Sequence, residues 1–141
     1  MLLFDHVGYA VENIADYVQN FVLPLFPGSV VGETVEDPLQ GVRVAFVDFP
    51  GRGRLELIEP AAPNSPVRKI LQAKRGGLYH LCYSVDDIEE EMQRFRDKGC
   101  LVISRPKPAK AFGGRRVAFL YTPQRDIVEF VERERQMENS D

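Results

Sequence analysis

The chain has 141 residues, of which 44% are hydrophobic and 28% charged, and its formal net charge at pH 7 is −3. This length is enough for one compact domain with a hydrophobic core of its own. The charge lacks the basic excess that binding to nucleic acid or to an anionic membrane would reward, so we expect neither as a partner.

The cysteines and the first residues of the chain predict a soluble, cytoplasmic protein. Cys82 and Cys100 are too few for a disulfide framework and form no CxxC motif, which indicates a reducing compartment. No stretch approaches the run of about 20 apolar residues that spans a bilayer. The opening "MLLF" meets Asp5 at once and is too short for the apolar part of a signal peptide.

The first half of the chain predicts a strand, a helix and three further strands. The segment "FDHVGYAV" (4–11) alternates in polarity as a half-buried strand does. A helix capped by Asn13 follows, and we expect it to stop at Pro24. Its apolar stripe consists of Ile14, Tyr17, Val18 and Phe21. The segments 29–35, 41–49 and 54–59 are the predicted strands, and Ser65 and Pro66 begin a short connecting helix.

The second half predicts the same order of elements. A strand begins at Leu78, and a helix after Asp86 carries Ile88, Met92 and Phe95 on one face. Gly99 takes the position that follows the end of this helix. Strands are expected at 101–104, 115–121 and 126–132, followed by a charged tail.

Two pairs of segments show that the halves are repeats. "FDHVGYAVENI" lies over "LYHLCYSVDDI" and aligns His6 with His80, while "RVAFVDFP" lies over "RVAFLYTP" at a register that aligns Glu56 with Glu129. Because both pairs recur in order at nearly one spacing, we predict a duplication. The expected organisation is a single α+β domain of two tandem βαβββ modules, namely module one (1–66), a connector (67–75), module two (76–135) and a tail (136–141).

Strand alternation predicts where the repeated polar side chains point. His6 shares its strand face with Gly8 and Ala10, and His80 shares its face with Cys82 and Ser84, so each imidazole has small neighbours. Glu56 and Glu129 lie among branched apolar residues, where a carboxylate is costly unless its charge is compensated. If the sheets curve with these faces inward, two imidazoles and two carboxylates form the ligand set of a divalent metal.

These motifs together resemble the vicinal oxygen chelate (glyoxalase/bleomycin resistance/dioxygenase) superfamily, most closely its methylmalonyl-CoA epimerase and glyoxalase branch. The motifs are "DHVGYAV", "LELIEP", "YHLCYSVDDI" and "IVEFVE". The resemblance implies a curved mixed-sheet cup around one divalent ion (Co, Ni, Mn or Zn) held by His6, Glu56, His80 and Glu129. Some epimerases carry a further catalytic glutamate on the third strand, and the position that matches it here is Val44. We also expect a homodimer.

The implied reaction is epimerisation or isomerisation through an enolate, with Glu129 or Glu56 as the base and methylmalonyl-CoA as the first substrate to test. A glyoxalase I-type lactoylglutathione lyase would use the same four ligands and remains an alternative. A non-catalytic protein that sequesters drugs is the alternative of another class, although that class generally lacks the four ligands. A ring-cleaving dioxygenase is less favoured, because its iron site takes two histidines and one carboxylate.

A basic segment offers a candidate contact for an anionic substrate. The segment from Arg105 to Arg116, both included, contains five basic residues and no acidic one. The segment is either a solvated loop or a contact for the phosphates of a coenzyme A thioester, made by Lys110, Arg115 and Arg116.

Overall fold

The structure is a computed structural model that describes residues 2–51, 53–74 and 77–134. The predicted tail (136–141) and the last residue of the predicted connector lie outside the described residues. The strands are β1 (Leu3–Ala10), β2 (Val30–Val31), β3 (Val35–Asp37), β4 (Val42–Asp48), β5 (Arg54–Pro60), β6 (Gly77–Val85), β7 (Leu101–Pro108), β8 (Arg116–Tyr121) and β9 (Ile127–Glu132). The α-helices are α1 (Ile14–Tyr17), α2 (Leu23–Leu25), α3 (Val67–Lys74) and α4 (Ile88–Asp97). Val18–Val22 form a π-helix and Lys110–Phe112 a 3-10 helix.

The chain divides into two compact units, Asp5–Cys82 and Met1–Phe4 with Tyr83–Asp141. In the first unit the strand order is β2-β4-β5-β1-β6, and β3 also pairs with β4. In the second unit the end of β6 lies beside β9, followed by β8 and β7. β1 and β5 run parallel, whereas β4 with β5 and β7 with β8 run antiparallel. The predicted α+β class with mixed strand pairing is confirmed, and the sequence modules stay a prediction.

The first helical segment differs from the prediction at its C-terminal half. Asn13 caps it as expected, since its side chain accepts a hydrogen bond from the Asp16 N–H at 2.9 Å. Pro24 does not stop the segment, which continues to Leu25. Directly before the proline the chain widens into the π-helix, where the Leu23 N–H donates to the Val18 carbonyl. This turn buries Val22 in place of Phe21, which is 52% exposed.

The predicted strand 29–35 is split into β2 and β3 by one extra residue. On β4, Val47 pairs with Val31 and Val44 pairs with Val35, so four steps on one side oppose three on the other. An inserted residue of this kind interrupts the ladder as a bulge does. Gly32 lies in the interruption, and its N–H donates to the Phe46 carbonyl at 2.8 Å. The prediction of one continuous strand was therefore wrong.

Strand register repeats between the two halves, as the duplication predicts. In one unit Glu56 lies opposite Phe46, and in the other Glu129 lies opposite Phe119. An ion pair on each ladder repeats as well. Arg43 contacts Glu59 at 2.8 Å, and Arg116 contacts Glu132 at 2.9 Å. The equivalence of Glu56 and Glu129 in sequence thus extends to their local pairing.

Each unit packs a helix against one face of its strands. The core of the first unit consists of Val11, Ile14, Val18, Val22, Ala45, Val47 and Leu57. The core of the second consists of Val85, Ile88, Met92, Cys100, Ala118, Leu120, Val128 and Phe130. Because side chains alternate along a strand, the residue before Leu57 points to the opposite face of β5. That residue is Glu56, so packing of the apolar face fixes the direction of the carboxylate. Among the described residues, no helix is long and apolar enough to cross a membrane.

Candidate metal centre

Three neighbouring strands of the first unit bring His6, Glu56 and His80 together. β1 lies between β5 and β6, and Gly8 on β1 is in register with Glu56 on β5. His6 is 0% exposed, His80 3% and Glu56 4%. Strand alternation thus places these three polar side chains on one face of the sheet. All three are buried there.

The atoms able to bind a metal face one another at short range. His80 Nε2 lies 3.3 Å from Glu56 Oε1, and His6 Nε2 lies 3.6 Å from the same oxygen. The two Nε2 atoms are 3.3 Å apart. Two imidazole nitrogens and one carboxylate oxygen thus occupy a space of the size that a single ion can bridge.

The orientation of His6 identifies which of its nitrogens faces this space. His6 Nδ1 lies 2.7 Å from Asp5 Oδ2. Because an ionised carboxylate only accepts hydrogen bonds, Nδ1 donates to Asp5 and Nε2 keeps its lone pair. A neutral imidazole with its lone pair on Nε2 can bind a metal through that atom.

The donor set fits a divalent cation. Electron-rich atoms buried within 3.6 Å of one another repel unless a proton or a metal cation lies between them. Mixed imidazole and carboxylate ligands suit zinc, cobalt, nickel and manganese. The residues present therefore match the predicted cofactor, and the identity of the metal among these four stays a prediction.

Gly8 provides the seat for the His80 ring. A Cβ atom built on Gly8 would lie less than 3.0 Å from three ring atoms of His80, closer than real Cβ contacts occur. Strand alternation placed Gly8 on the same face as His6 and predicted room for the imidazole there. In the structure that room is filled by the second imidazole, so a glycine is required on β1 for His80 to reach its place on β6.

The fourth predicted ligand, Glu129, belongs to the other compact unit. It lies on β9 opposite Phe119 and is 2% exposed. Val44 is buried on β4, where it lies opposite Ile58 and Val35. An apolar side chain at that position transfers no proton, as the sequence predicted. The assignment of Glu129 as ligand and base stays a prediction.

The basic residues of the second unit differ in what they contact. Lys110 begins the 3-10 helix and is exposed. Arg115 Nε donates to the Phe112 carbonyl at 3.2 Å. Arg116 forms ion pairs with Glu132 at 2.9 Å and with Glu89 at 2.7 Å. These hydrogen bonds raise the pKa of the Arg116 guanidinium and lower the pKa of the Glu89 carboxyl. Arg116 already has two carboxylate partners, which leaves Lys110 and Arg115 as the better candidates for a substrate contact.

The sequence pattern predicted neither a role for Asp5 nor the contact between Gly8 and His80. Both residues were visible in the motif "DHVGYAV", which surrounds His6. A carboxylate directly before a candidate histidine ligand was the available signal for Asp5, because metal-binding imidazoles commonly donate their second N–H to a carboxylate. The Gly8 contact joins different strands, so no local pattern indicates it.

Comparison with known proteins places these residues in a family. Residues 5–119 match the model of the Glyoxalase/Bleomycin resistance protein/Dioxygenase superfamily, a range that contains three of the four predicted ligands and ends before Glu129. The ethylmalonyl-CoA/methylmalonyl-CoA epimerase of Cereibacter sphaeroides is 30% identical over 118 residues, which cover 83% of this chain and 86% of that protein.

Two solved structures are similar to this chain in fold. A hypothetical protein from Bacillus halodurans C-125 has a TM-score of 0.82 and 33% identity, covering 98% of this chain and 99% of its own. A variant of methylmalonyl-CoA epimerase from Streptomyces coelicolor, in complex with 2-nitronate-propionyl-CoA, has a TM-score of 0.72 and 28% identity, covering 94% of this chain and 98% of its own.

The contact between Gly8 and the His80 ring allows a test of the metal centre. Gly8→Ala should displace the His80 ring and weaken Co²⁺ binding by about 10- to 100-fold, the range typical for loss of ligand orientation. Gly53→Ala is the matched control, because a Cβ there would meet only ordinary contact with Phe49 at 3.9 Å. Isothermal titration calorimetry on both folded variants measures the effect. Equal Co²⁺ affinity in the two variants would contradict the placement of His80.

Proposed function

This chain belongs to the glyoxalase/bleomycin resistance protein/dioxygenase superfamily, and on that premise we propose that it is a divalent-metal-dependent epimerase of the methylmalonyl-CoA epimerase type. The observation that carries the proposal is the buried convergence of His6 Nε2, His80 Nε2 and Glu56 Oε1 within 3.6 Å. Such a donor set is more than a binding module for apolar ligands requires.

The substrate class follows from the named relatives. The C. sphaeroides relative is named for two acyl-CoA substrates, and the S. coelicolor enzyme is in complex with a propionyl-CoA analogue. These names support a coenzyme A thioester with an acidic α-hydrogen. They favour epimerisation over the lactoylglutathione lyase reaction, which would use the same proposed ligands.

We propose four protein ligands for one ion. His6, Glu56 and His80 are supported by their mutual distances, and Glu129 is supported by its repeat equivalence to Glu56 and by its burial. When bound, a divalent ion supplies Lewis acidity, which stabilises negative charge on the carbonyl oxygen of the substrate. The buried setting of the ligands excludes water and strengthens electrostatic interactions with that oxygen.

Proton transfer falls to the carboxylates. With Val44 in place of a further glutamate, Glu129 is the proposed base. Its carboxylate takes the proton from the α-carbon, and the electron pair of the broken C–H bond moves to the carbonyl oxygen to form the enolate. Return of a proton to the opposite face of the α-carbon gives the epimer. Glu56 is the second carboxylate proposed for that return, and it would first have to take up a proton from solvent.

Exchange of the α-hydrogen in heavy water tests the reaction and the base together. In metal-saturated protein, NMR should detect deuterium uptake by methylmalonyl-CoA. Glu129→Gln keeps a coordinating oxygen but removes the basicity, so exchange should slow by about a hundredfold to ten-thousandfold, the usual cost of losing a general base. The matched variant Glu56→Gln should be slowed less.

Two results would count against this mechanism. Exchange at the parent rate in Glu129→Gln, with Glu56→Gln the slower variant, would identify Glu56 as the base and contradict its assignment to Glu129. A parent protein that exchanges the α-hydrogen of no acyl-CoA thioester would refute epimerisation. Turnover of a hemithioacetal instead would support the lyase.

We further propose that Lys110 and Arg115 contact the anionic part of the substrate. Replacing both with alanine should raise KM for the thioester and make KM less sensitive to salt, with kcat nearly unchanged, because phosphate contacts far from the reacting carbon affect binding. Arg116→Gln is the control, since Arg116 is paired with Glu89 and Glu132. An unchanged KM in the double variant would mean that the segment is only solvated.

The predicted homodimer and the cytoplasmic location stay predictions.

A further inference from the structure

We propose that Asp5 is a positioning residue of the metal centre, which fixes the tautomer and the ring orientation of His6 and so directs His6 Nε2 at Glu56 and His80. The inference rests on the proposed function in one respect only, that the centre binds a divalent ion. It adds a residue outside the ligand set, and its structural part can be tested without metal.

The contact that carries the proposal is the hydrogen bond between His6 Nδ1 and Asp5 Oδ2 at 2.7 Å. This length is typical of a strong, charge-assisted hydrogen bond. The proton on Nδ1 forces the lone pair onto Nε2, the atom that faces His80 Nε2 at 3.3 Å. In the opposite tautomer Nε2 would carry a hydrogen and would be unable to bind a cation.

Asp5 is itself held in place. Arg54 Nη1 lies 3.9 Å from Asp5 Oδ2, and the Arg54 guanidinium lies 4.0 Å over the Phe46 ring. Phe46 packs edge-on against His6, with ring centroids 5.3 Å apart. The side chain of His6 is therefore fixed by a carboxylate at Nδ1 and by an aromatic ring beside it, and a nearby cation restrains the carboxylate.

The second repeat does not have an aspartate at the equivalent position. The position equivalent to Asp5 in the second repeat is Tyr79, which has no carboxylate. His80 is instead located by its contact with Gly8. The two imidazoles of the centre are thus oriented by different means. Replacement of Asp5 should act on His6 and leave the His80 ring in its tautomeric state.

A competing role for Asp5 is that of a ligand. One possible ligand atom from each of Asp5, His6 and Cys82 lies within 4.8 Å of the other two. This spacing could hold a second ion. A second ion bound through His6 Nδ1 would have to replace the hydrogen bond between Asp5 and His6, which uses the same nitrogen. The 2.7 Å contact favours the positioning role, and the experiment separates the two.

The test compares Asp5→Ala and Asp5→Asn with the control Asp48→Asn. Asp48 also contacts Arg54, at 3.3 Å, and is largely exposed. The first readout is the tautomer of His6 in metal-free protein, from imidazole ¹⁵N chemical shifts. In the parent and the control, His6 should be mainly in the Nδ1–H form. In Asp5→Ala the Nδ1–H form of His6 should no longer predominate. The tautomer of His80 should be the same in all variants.

The second readout is Co²⁺ affinity by calorimetry. Asp5→Ala should bind about 10- to 100-fold more weakly than the parent, as is typical when the partner of a ligating histidine is removed. Asp5→Asn retains an oxygen that accepts the same hydrogen bond, so its loss should be smaller, and it serves as the second variant if Asp5→Ala fails to fold. Asp48→Asn should match the parent.

Three results would overturn the proposal. The Nδ1–H tautomer of His6 could persist in Asp5→Ala, or the affinities of Asp5→Ala and Asp48→Asn could be equal. The parent could also bind a second equivalent of Co²⁺ with a thiolate charge-transfer band that is lost in Cys82→Ser, which would make Asp5 a ligand. A parent that binds no Co²⁺ would contradict the proposed function instead, while the tautomer would still decide the role of Asp5.

Discussion

The proposed metal centre and its chemistry depend on the close approach of His6, Glu56 and His80. Three polar groups are buried together, and three of their electron-rich atoms lie within 3.6 Å of one another. Burial of a carboxylate costs several kcal/mol unless a cation or hydrogen bonds compensate it. Hydrogen bonds among the three groups can offset part of this cost, and coordination of a divalent ion fits all of their atom types.

Strand alternation explains how a small chain combines this centre with a core. On β5, Leu57 is completely buried in the apolar core while its neighbour Glu56 points to the opposite face. The second repeat uses the same register for Glu129 and its neighbour Phe130. Packing of one face therefore sets the direction of the functional residues on the other, and the duplication supplies two imidazoles and two carboxylates from one pattern.

Repeats and period-two alternation in the sequence allowed the α+β class to be predicted, and also the convergence of His6, Glu56 and His80. The sequence did not allow the π-helix before Pro24 to be predicted, since a helical wheel assumes regular turns and placed Phe21 rather than Val22 in the core. The seat of His80 against Gly8 joins two strands and has no local signature. The hydrogen bond from His6 to Asp5 depends on a rotamer, which adjacency in sequence suggests but does not determine.

The most direct test of the central claim is the stoichiometry of metal binding. Isothermal titration of the metal-free protein with Co²⁺, checked by elemental analysis, should give one ion per chain, because we propose that the four ligands bind a single ion. A folded double variant with His6→Gln and His80→Gln should lose this binding. Absence of binding in the parent, or equal binding in the double variant, would contradict the assignment of the buried cluster as a metal centre.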